Sequence, residues 1–196
     1  MERLVLCTTN AGKVAELRAL LAGRAEVLSL ADVGLAGGWA ETADTFEGNA
    51  LLKARRAHEA CGERCLGDDS GLEVAALGGA PGVRSARFAG EAVDDRANMA
   101  LLLQRMQGIK DRSARFVTVL ALVGAGGERT YSGTVAGTIT HAPRGAMGFG
   151  YDPIFEPLGG TRTFAELTMD VKNRIGHRAL AVQALLDDMD RRTVLP

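Results

Sequence analysis

The stretch RFVTVLALVGAGGERTYSGTVAGT, residues 115–138, decides the fold class of this chain. It contains two runs rich in β-branched residues, Arg115 to Val123 and Arg129 to Thr138, on either side of a glycine-rich connection. Runs of this composition indicate β-strands, and a short connection that contains glycine favours an antiparallel hairpin. We therefore predict two long, paired strands in this part of the chain.

Apolar runs alternate with helical patterns on the N-terminal side of the hairpin. Arg3 to Cys7 predicts a strand, Lys13 to Ala22 a helix and Glu26 to Leu30 a second strand. Thr45 is a plausible N-cap of a helix that runs to about Ala60. Crossover helices together with a hairpin imply an α/β fold whose sheet is mixed.

The same patterns continue along the rest of the chain. Leu66 enters a strand that leads to Asp68 and Asp69, and Asp94 or Asp95 is predicted to cap a further helix. A last helix is predicted from His177 to about Arg191, with an apolar face formed by Leu180, Ala184, Leu185 and Met189.

Length and charge exclude several functions. The 196 residues, of which 46% are hydrophobic and 24% charged, are typical of a globular protein, and we expect a single domain over residues 1–196. A net charge of -1 offers no basic field for a nucleic-acid backbone or an anionic membrane, so neither is an expected partner. Three cysteines cannot form a disulfide framework, and the start of the sequence, MERLVLCTTN, lacks the apolar stretch of a secretory signal. We expect a cytoplasmic location.

The segment TTNAGK, Thr8 to Lys13, lies between the first predicted strand and the first predicted helix. A helix N-terminus presents free N–H groups and a positive dipole end, and hydroxyl, amide and lysine side chains suit a polyphosphate. The segment is not a Walker A loop, because Cys7 stands where that motif has glycine and Val14 where it has Ser or Thr. Phosphate binding and an ordinary strand-to-helix turn are both open interpretations.

Acidic residues form a second candidate site. Asp68 and Asp69, with Glu41 further upstream, are of the type that holds Mg²⁺ beside substrate phosphates at a strand end. Alternation along a strand would direct Asp68 and Asp69 to opposite sides of the sheet. The alternative interpretation is a solvated Asp-Asp-Ser turn.

A third candidate combines GFGYDP, Gly148 to Pro153, with Lys172, His177 and Arg178 near the start of the last helix. Aromatic, basic and imidazole groups close to glycine suit a planar heterocycle, although single aromatic residues more often belong to a core.

The spacing of His58, Cys61 and Cys65 resembles that of zinc ligands. It supplies three groups with no evident fourth, so small buried residues are the better interpretation.

The order of five segments along the chain is informative. They are TTNAGKVAEL (8–17), ETADTFEGNALLKA (41–54), DDSGLEVAALGGAPGVRSARFAG (68–90), GFGYDPIF (148–155) and KNRIGHRA (172–179). Together they closely resemble the inosine triphosphate pyrophosphatase family, in its bacterial dITP/XTP pyrophosphatase branch. The likeness extends from Leu4 to about Leu186, and its central segment is highly specific to the family.

The resemblance implies both a fold and a reaction. The fold is a long curved mixed β-sheet flanked by helices, with two lobes, an active cleft between them and assembly as a homodimer. The reaction is Mg²⁺-dependent hydrolysis of ITP, dITP or XTP to the nucleoside monophosphate and pyrophosphate.

The resemblance also implies roles for particular residues. Asp69 matches the general base, which also lies at the metal, and Glu41 matches the metal carboxylate. The phosphate loop corresponds to Thr8, Thr9, Asn10, Ala11, Gly12 and Lys13, with Asn49 and Lys53 facing the phosphates and Ser70 contacting substrate. The base and sugar pocket corresponds to Phe149, Gly150, Tyr151, Asp152 and Lys172, and the pair that reads the base to His177 and Arg178.

Gly176 departs from the family pattern, which usually has Ser before the His-Arg pair. The loss of a hydroxyl bears on specificity more than on chemistry. Two rival functions are a nucleotide-binding regulator without turnover and a related pyrophosphatase for modified pyrimidine nucleotides. Glu41 and Asp69 argue against the first, and the GFGYD and GHR segments argue against the second.

Overall fold

Six strands and five α-helices form most of the regular structure of the computed structural model, which describes residues 2–194. The strands are β1 (Glu2–Leu6), β2 (Ala25–Ser29), β3 (Cys65–Val74), β4 (Ser113–Gly124), β5 (Gly127–Ile139) and β6 (Phe155–Pro157). The helices are α1 (Ala11–Leu20), α2 (Phe46–Cys61), α3 (Asp95–Arg105), α4 (Met169–Ile175) and α5 (His177–Val194). None of the helices within residues 2–194 combines the length and the apolar composition needed to cross a membrane.

The strands form one sheet in the order β2-β1-β3-β4-β5-β6. Strand β1 pairs in parallel with β2 and with β3, whereas β5 pairs antiparallel with β6. Strands β4 and β5 are neighbours joined by Ala125 and Gly126 alone, and a connection this short can join only antiparallel strands. The predicted hairpin and the predicted α/β fold with a mixed sheet are confirmed.

Polar side chains start the helices close to the predicted positions. Thr45 caps α2, and Asp94 rather than Asp95 caps α3, because each side chain accepts hydrogen bonds from N–H groups of its first turn. Helix α1 begins at Ala11, two residues before the predicted Lys13, because Asn10 serves as its N-cap. Half of the TTNAGK segment therefore belongs to the first turn of α1.

The chain divides into two compact units, in agreement with the two lobes expected. Within the described chain, unit 1 comprises residues 2–69, 118–133 and 178–194, and unit 2 comprises residues 70–117 and 134–177. Strands β3, β4 and β5 therefore each contribute residues to both units.

Each unit has its own hydrophobic core. The core of unit 1 is mainly aliphatic and includes Leu4, Leu6, Leu17, Leu21, Leu66, Leu120 and Leu185. The core of unit 2 combines aliphatic residues with an aromatic cluster: the ring centroid of Phe116 lies 4.7 Å from that of Phe155, and the ring centroid of Phe155 lies 5.2 Å from that of Phe164. Edge-to-face and tilted ring pairs of this kind stabilise a core beyond the apolar area that they bury.

Helix α5 packs on the core of unit 1 through a face that differs slightly from the predicted one. Ala181, Val182 and Leu185 are buried, but Leu180 is 43% exposed. The predicted inward position of Leu180 is wrong, because neighbouring residues of a helix are about 100° apart and Leu180 lies beyond the edge of the packed face.

Candidate active site

The TTNAGK segment forms a capped helix start in unit 1. The side-chain Oδ1 of Asn10 accepts a hydrogen bond from the backbone N–H of Lys13 (3.0 Å), and Thr8 Oγ1 accepts one from the N–H of Asn10 (3.2 Å). Thr9, Asn10 and Ala11 are exposed, whereas Gly12 and Lys13 are half-buried. An exposed helix start of this form can offer N–H groups to an anion.

The Lys13 side chain leads from this segment into a buried cluster of charges. Its Nζ lies 2.6 Å from Oδ1 of Asp68, whose Oδ2 accepts a hydrogen bond from Nε of Arg178 (2.7 Å). Arg178 also donates to Glu16 through Nη1. Two cations and two carboxylates thus alternate in a region where Asp68 is 0% exposed and Arg178 is 2% exposed.

Burial and neighbouring charges set the pKa values in this cluster. Burial opposes ionisation of Asp68, but Arg178 and Lys13 outweigh burial and hold the pKa of Asp68 well below its usual range. Burial lowers the pKa of Lys13, against the opposing effect of Asp68. Asp68 is therefore a charged anchor that fixes the Lys13 ammonium group.

Gly67 allows α2 to lie very close to β3. A Cβ at this position would overlap the carbonyl oxygen of Ala50 in α2, so any larger residue would force the helix away from the strand. Asn49 and Lys53 flank Ala50 on the same helix and are both buried. The close approach brings their side chains to Asp69, which is two residues after Gly67 in the strand.

Asp69 contacts two side chains of α2, Asn49 and Lys53, and Lys53 also pairs with Glu41. Lys53 Nζ lies 2.8 Å from Asp69 Oδ1 and 2.8 Å from Glu41 Oε1, and Nδ2 of Asn49 lies 3.3 Å from Asp69 Oδ2. Asn49 Oδ1 accepts a hydrogen bond from the N–H of Ala43, which holds the segment that carries Glu41. The two carboxylates therefore converge on one ammonium group.

Burial raises the pKa of Asp69, although Lys53 and Lys13 oppose the increase. Burial acts to lower the pKa of Lys53, but Asp69 and Glu41 outweigh it and raise that pKa. A carboxylate that is partly desolvated and has a raised pKa is better suited to accept a proton than an exposed one.

The position of the acidic pair differs from both interpretations drawn from the sequence. Asp68 and Asp69 lie in the interior of β3, so neither a strand end nor a solvated turn describes them, and the turn is wrong. They are buried because Lys13, Arg178 and Lys53 compensate their charges. Their predicted opposite directions are confirmed by their separate partners.

Glu41 and Asp69 are the residues that could hold a divalent cation. Their convergence within 2.8 Å of the same ammonium nitrogen shows that two carboxylates can share one cation there. Mg²⁺ is commonly held by one or two carboxylates, with substrate phosphates and water as its other ligands, so this donor set fits it. No group of three His, Cys, Asp or Glu side chains suited to a metal occurs within residues 2–194.

The GFGYDP segment forms a tight turn in unit 2. Asp152 Oδ2 accepts hydrogen bonds from the N–H of Phe149 (2.9 Å) and from Lys172 Nζ, and Lys172 Nζ lies 4.9 Å from the centroid of the Phe149 ring. Tyr151 is buried and donates its hydroxyl to the carbonyl of Ser85 (2.8 Å). The turn therefore presents a half-buried phenyl ring held beside a cation.

His177 and Arg178 are adjacent in sequence but belong to different units. The His177 ring is buried and stacks on Phe116 at a centroid distance of 4.6 Å in unit 2, whereas Arg178 bonds to Asp68 and Glu16 in unit 1. Recognition of a base by this pair stays a prediction.

Gly176 closes α4 by donating its N–H to the carbonyl oxygen of Lys172 (2.7 Å). A Cβ at Gly176 would also lie 2.7 Å from that oxygen, so serine at this position would require the turn to shift.

The remaining candidate residues are Ser70, His58, Cys61 and Cys65. Ser70 is half-buried in β3, in the part of the strand that belongs to unit 2. His58 Nδ1 lies 2.6 Å from the carbonyl oxygen of Glu63, and the Sγ atoms of Cys61 and Cys65 are 3.8 Å apart. These contacts account for the zinc-like spacing in terms of local packing.

Comparison with known proteins identifies the family. The model of the Ham1 family matches residues 4–188. The chain belongs to the Ham1 family. The resemblance inferred from the five sequence segments is confirmed.

Relatives of this Ham1 protein are similar over almost their whole length. A dITP/XTP pyrophosphatase of Porphyromonas gingivalis is 47% identical over 188 residues, which cover 95% of this chain and 97% of the relative. A dITP/XTP pyrophosphatase of Streptomyces coelicolor is 48% identical over 198 aligned residues, covering 95% and 96%. The solved structure of the Staphylococcus aureus Ham1 protein matches with a TM-score of 0.88 and 36% identity, covering 97% of this chain and 100% of that chain.

Three residues of this Ham1 protein that contact the candidate site were not identified from the sequence. Glu16 lies on the buried side of α1 and binds Arg178, Phe116 stacks on His177, and Asp95 binds the GFGYDP turn. A glutamate at a helical position that otherwise faces the core was a usable signal for Glu16, because a buried carboxylate needs a cationic partner. Phe116 and Asp95 carried no comparable signal.

Proposed function

We propose that this protein hydrolyses non-standard purine nucleoside triphosphates, namely ITP, dITP and XTP, to the monophosphate and pyrophosphate. The observation that carries the proposal is the buried Asp69, with a raised pKa, beside Glu41 and two lysines. Hydrolysis at phosphorus needs a base for water and cations for the phosphate charge, and both kinds of group are present. The names of the close relatives support the same reaction.

The proposed chemistry assigns a separate task to each group. Asp69 orients a water molecule and accepts its proton as the water attacks the α-phosphorus. Lys13, held by Asp68, stabilises the negative charge of the departing pyrophosphate together with the N–H groups at the start of α1. Asn49 and Lys53 hold Asp69 in place, and Lys53 offers a second positive charge to the phosphates.

We further propose Mg²⁺ as the cofactor, held by Glu41 and Asp69. When bound, a divalent cation supplies charge neutralisation for the phosphates and lowers the pKa of nearby water. The proposal also includes a single nucleoside triphosphate pyrophosphatase domain over residues 1–196, which assembles as a homodimer in the cytoplasm. Nucleic-acid polymers and membranes are not proposed as partners.

The unit 2 turn is proposed to bind the purine. The half-buried ring of Phe149 offers a stacking surface, and Lys172 and Asp152 fix that ring. Hypoxanthine and xanthine carry a 6-oxo acceptor, whereas adenine carries an amino donor, so N–H donors directed at position 6 would reject ATP. Guanine shares the 6-oxo group and is rejected through its 2-amino group.

A panel of triphosphates tests this function. We expect ITP, dITP and XTP to be good substrates, GTP and dGTP poor ones and ATP the poorest, with products identified by anion-exchange chromatography. Replacement of Phe149 by Ala should raise KM for all purines together, whereas Arg178→Ala should narrow the difference between ITP and ATP. ATP or a pyrimidine triphosphate hydrolysed as efficiently as ITP would overturn the assignment of the base-reading residues.

A further inference from the structure

Two neighbouring backbone N–H groups of the GFGYDP turn are each fixed by a carboxylate. The N–H of Phe149 donates to Asp152, within the turn itself. The N–H of Gly150 donates to Oδ2 of Asp95 at 2.8 Å, and Asp95 is 55 residues earlier in the chain. Phe149 therefore lies between one internal and one external attachment, all within unit 2.

Asp95 is not needed to start its own helix. Asp94 is the N-cap of α3, and its side chain accepts hydrogen bonds from the N–H groups of Arg96 and Ala97. The carboxylate of Asp95, on the first residue of α3, is instead directed to the turn. Asp94 therefore caps α3, and Asp95 holds the turn.

Two glycines make the turn costly to hold in one conformation. Gly148 and Gly150 have positive φ values, 76° and 62°, which glycine adopts without steric strain, but fixing a glycine costs more conformational entropy than fixing any other residue. A Cβ at Gly148 would overlap the Asp152 carboxylate, so the turn closes tightly around that group. The Asp95 acceptor fixes the Gly150 end of the same turn.

We propose that Asp95 is a positioning residue that orients Phe149 for recognition of the purine base. This inference rests on the proposed function. Asp95 acts through the Gly150 amide and touches neither the phosphates nor the reacting atoms. Removal of the Asp95 carboxylate should therefore weaken the binding of ligands that carry a base and leave the binding of ligands without a base unchanged.

Kinetics of Asp95→Ala test the inference. We expect KM for ITP to rise about fivefold, the size expected for loss of one hydrogen bond, with kcat changed less than about twofold. The inhibition constant of tripolyphosphate, which has no base, should stay at the wild-type value. Asp95→Asn keeps an acceptor oxygen and should restore most of the affinity for ITP.

Asp94→Ala is the matched control. It removes the cap of α3 and should lower Tm, but KM for ITP should stay at the wild-type value. An unchanged KM for Asp95→Ala would overturn the inference, as would an equal loss of affinity for ITP and tripolyphosphate.

Hydrogen exchange separates this inference from the proposed function. Exchange of the peptide that contains Phe149 and Gly150 needs no substrate, and it should be faster in Asp95→Ala than in wild type or Asp94→Ala. Equal exchange in all three proteins would contradict the role of Asp95 even if ITP is hydrolysed. Failure of the wild type to hydrolyse ITP would instead contradict the proposed function. The hydrogen-exchange rates would still show whether Asp95 holds the turn.

Discussion

Replacement of Asp68 by Asn tests whether the buried charge cluster stabilises unit 1. The change removes the carboxylate that pairs with both Lys13 and Arg178, while Glu16 still pairs with Arg178, in a region where Asp68 is 0% exposed. Removal of one partner from a buried ion pair typically costs about 3–5 kcal/mol. For a chain of this length each kcal/mol corresponds to about 2–4 °C, so Tm should fall by about 6–20 °C.

Asp190→Asn is the control for this experiment, because Asp190 pairs with Arg24 but its side chain is 64% exposed. Exposed ion pairs contribute less than about 1 kcal/mol, so Tm should fall by no more than a few degrees. Thermal and urea unfolding measured by circular dichroism provide the comparison. If Asp68→Asn lost no more stability than Asp190→Asn, the cluster would not be the buried network that the contacts indicate.

The same pair of proteins has a defined pH dependence. The pKa of Asp68 is depressed in the folded state, so its stabilising contribution is complete above the unfolded pKa of about 3.9 and is lost as the pH falls towards the folded pKa. The difference in unfolding free energy between wild type and Asp68→Asn should stay constant between about pH 5 and pH 8 and narrow below about pH 4. A difference that widened on acidification would contradict this sign.

Three further substitutions address the catalytic groups and their scaffold. Asp69→Asn should fold yet lose more than about 90% of kcat, a barrier increase above ~1.4 kcal/mol, and a smaller loss would remove Asp69 from the role of base. Lys13→Ala should raise KM for ITP and lower kcat in steady-state assays, and unchanged kinetics would place the phosphates elsewhere. Gly67→Ala should destabilise by about 1–3 kcal/mol because its Cβ meets the carbonyl of Ala50, whereas Gly126→Ala, which meets nothing within 4 Å, should unfold like wild type.

Local sequence patterns were sufficient for the elements that depend on local physics. The hairpin follows from two β-rich runs with a glycine turn, and the Thr45 cap follows from the hydrogen-bonding capacity of its side chain. Asp68 and Asp69 could not be placed in this way. Aspartate and serine favour turns, and the partner that allows Asp68 to be buried in a strand, Arg178, is 110 residues away in the sequence.

The sequence therefore indicated which residues are candidates for the site, but not which contacts they make with one another. Lys13, Glu41 and Asp69 were identified as candidates, but the order of charges that links Lys13 to Asp68 and Arg178 depends on long-range packing. His177 and Arg178 belong to different units, and nothing in the local sequence indicates that two consecutive residues are divided in this way.

Hydrolysis of ITP in ¹⁸O-labelled water, followed by mass spectrometry of both products, tests the central claim most directly. Attack of water at the α-phosphorus predicts one ¹⁸O atom in inosine monophosphate and none in pyrophosphate. Label in pyrophosphate, or formation of inosine diphosphate and inorganic phosphate, would contradict the assignment of Asp69 as the base for attack at that position.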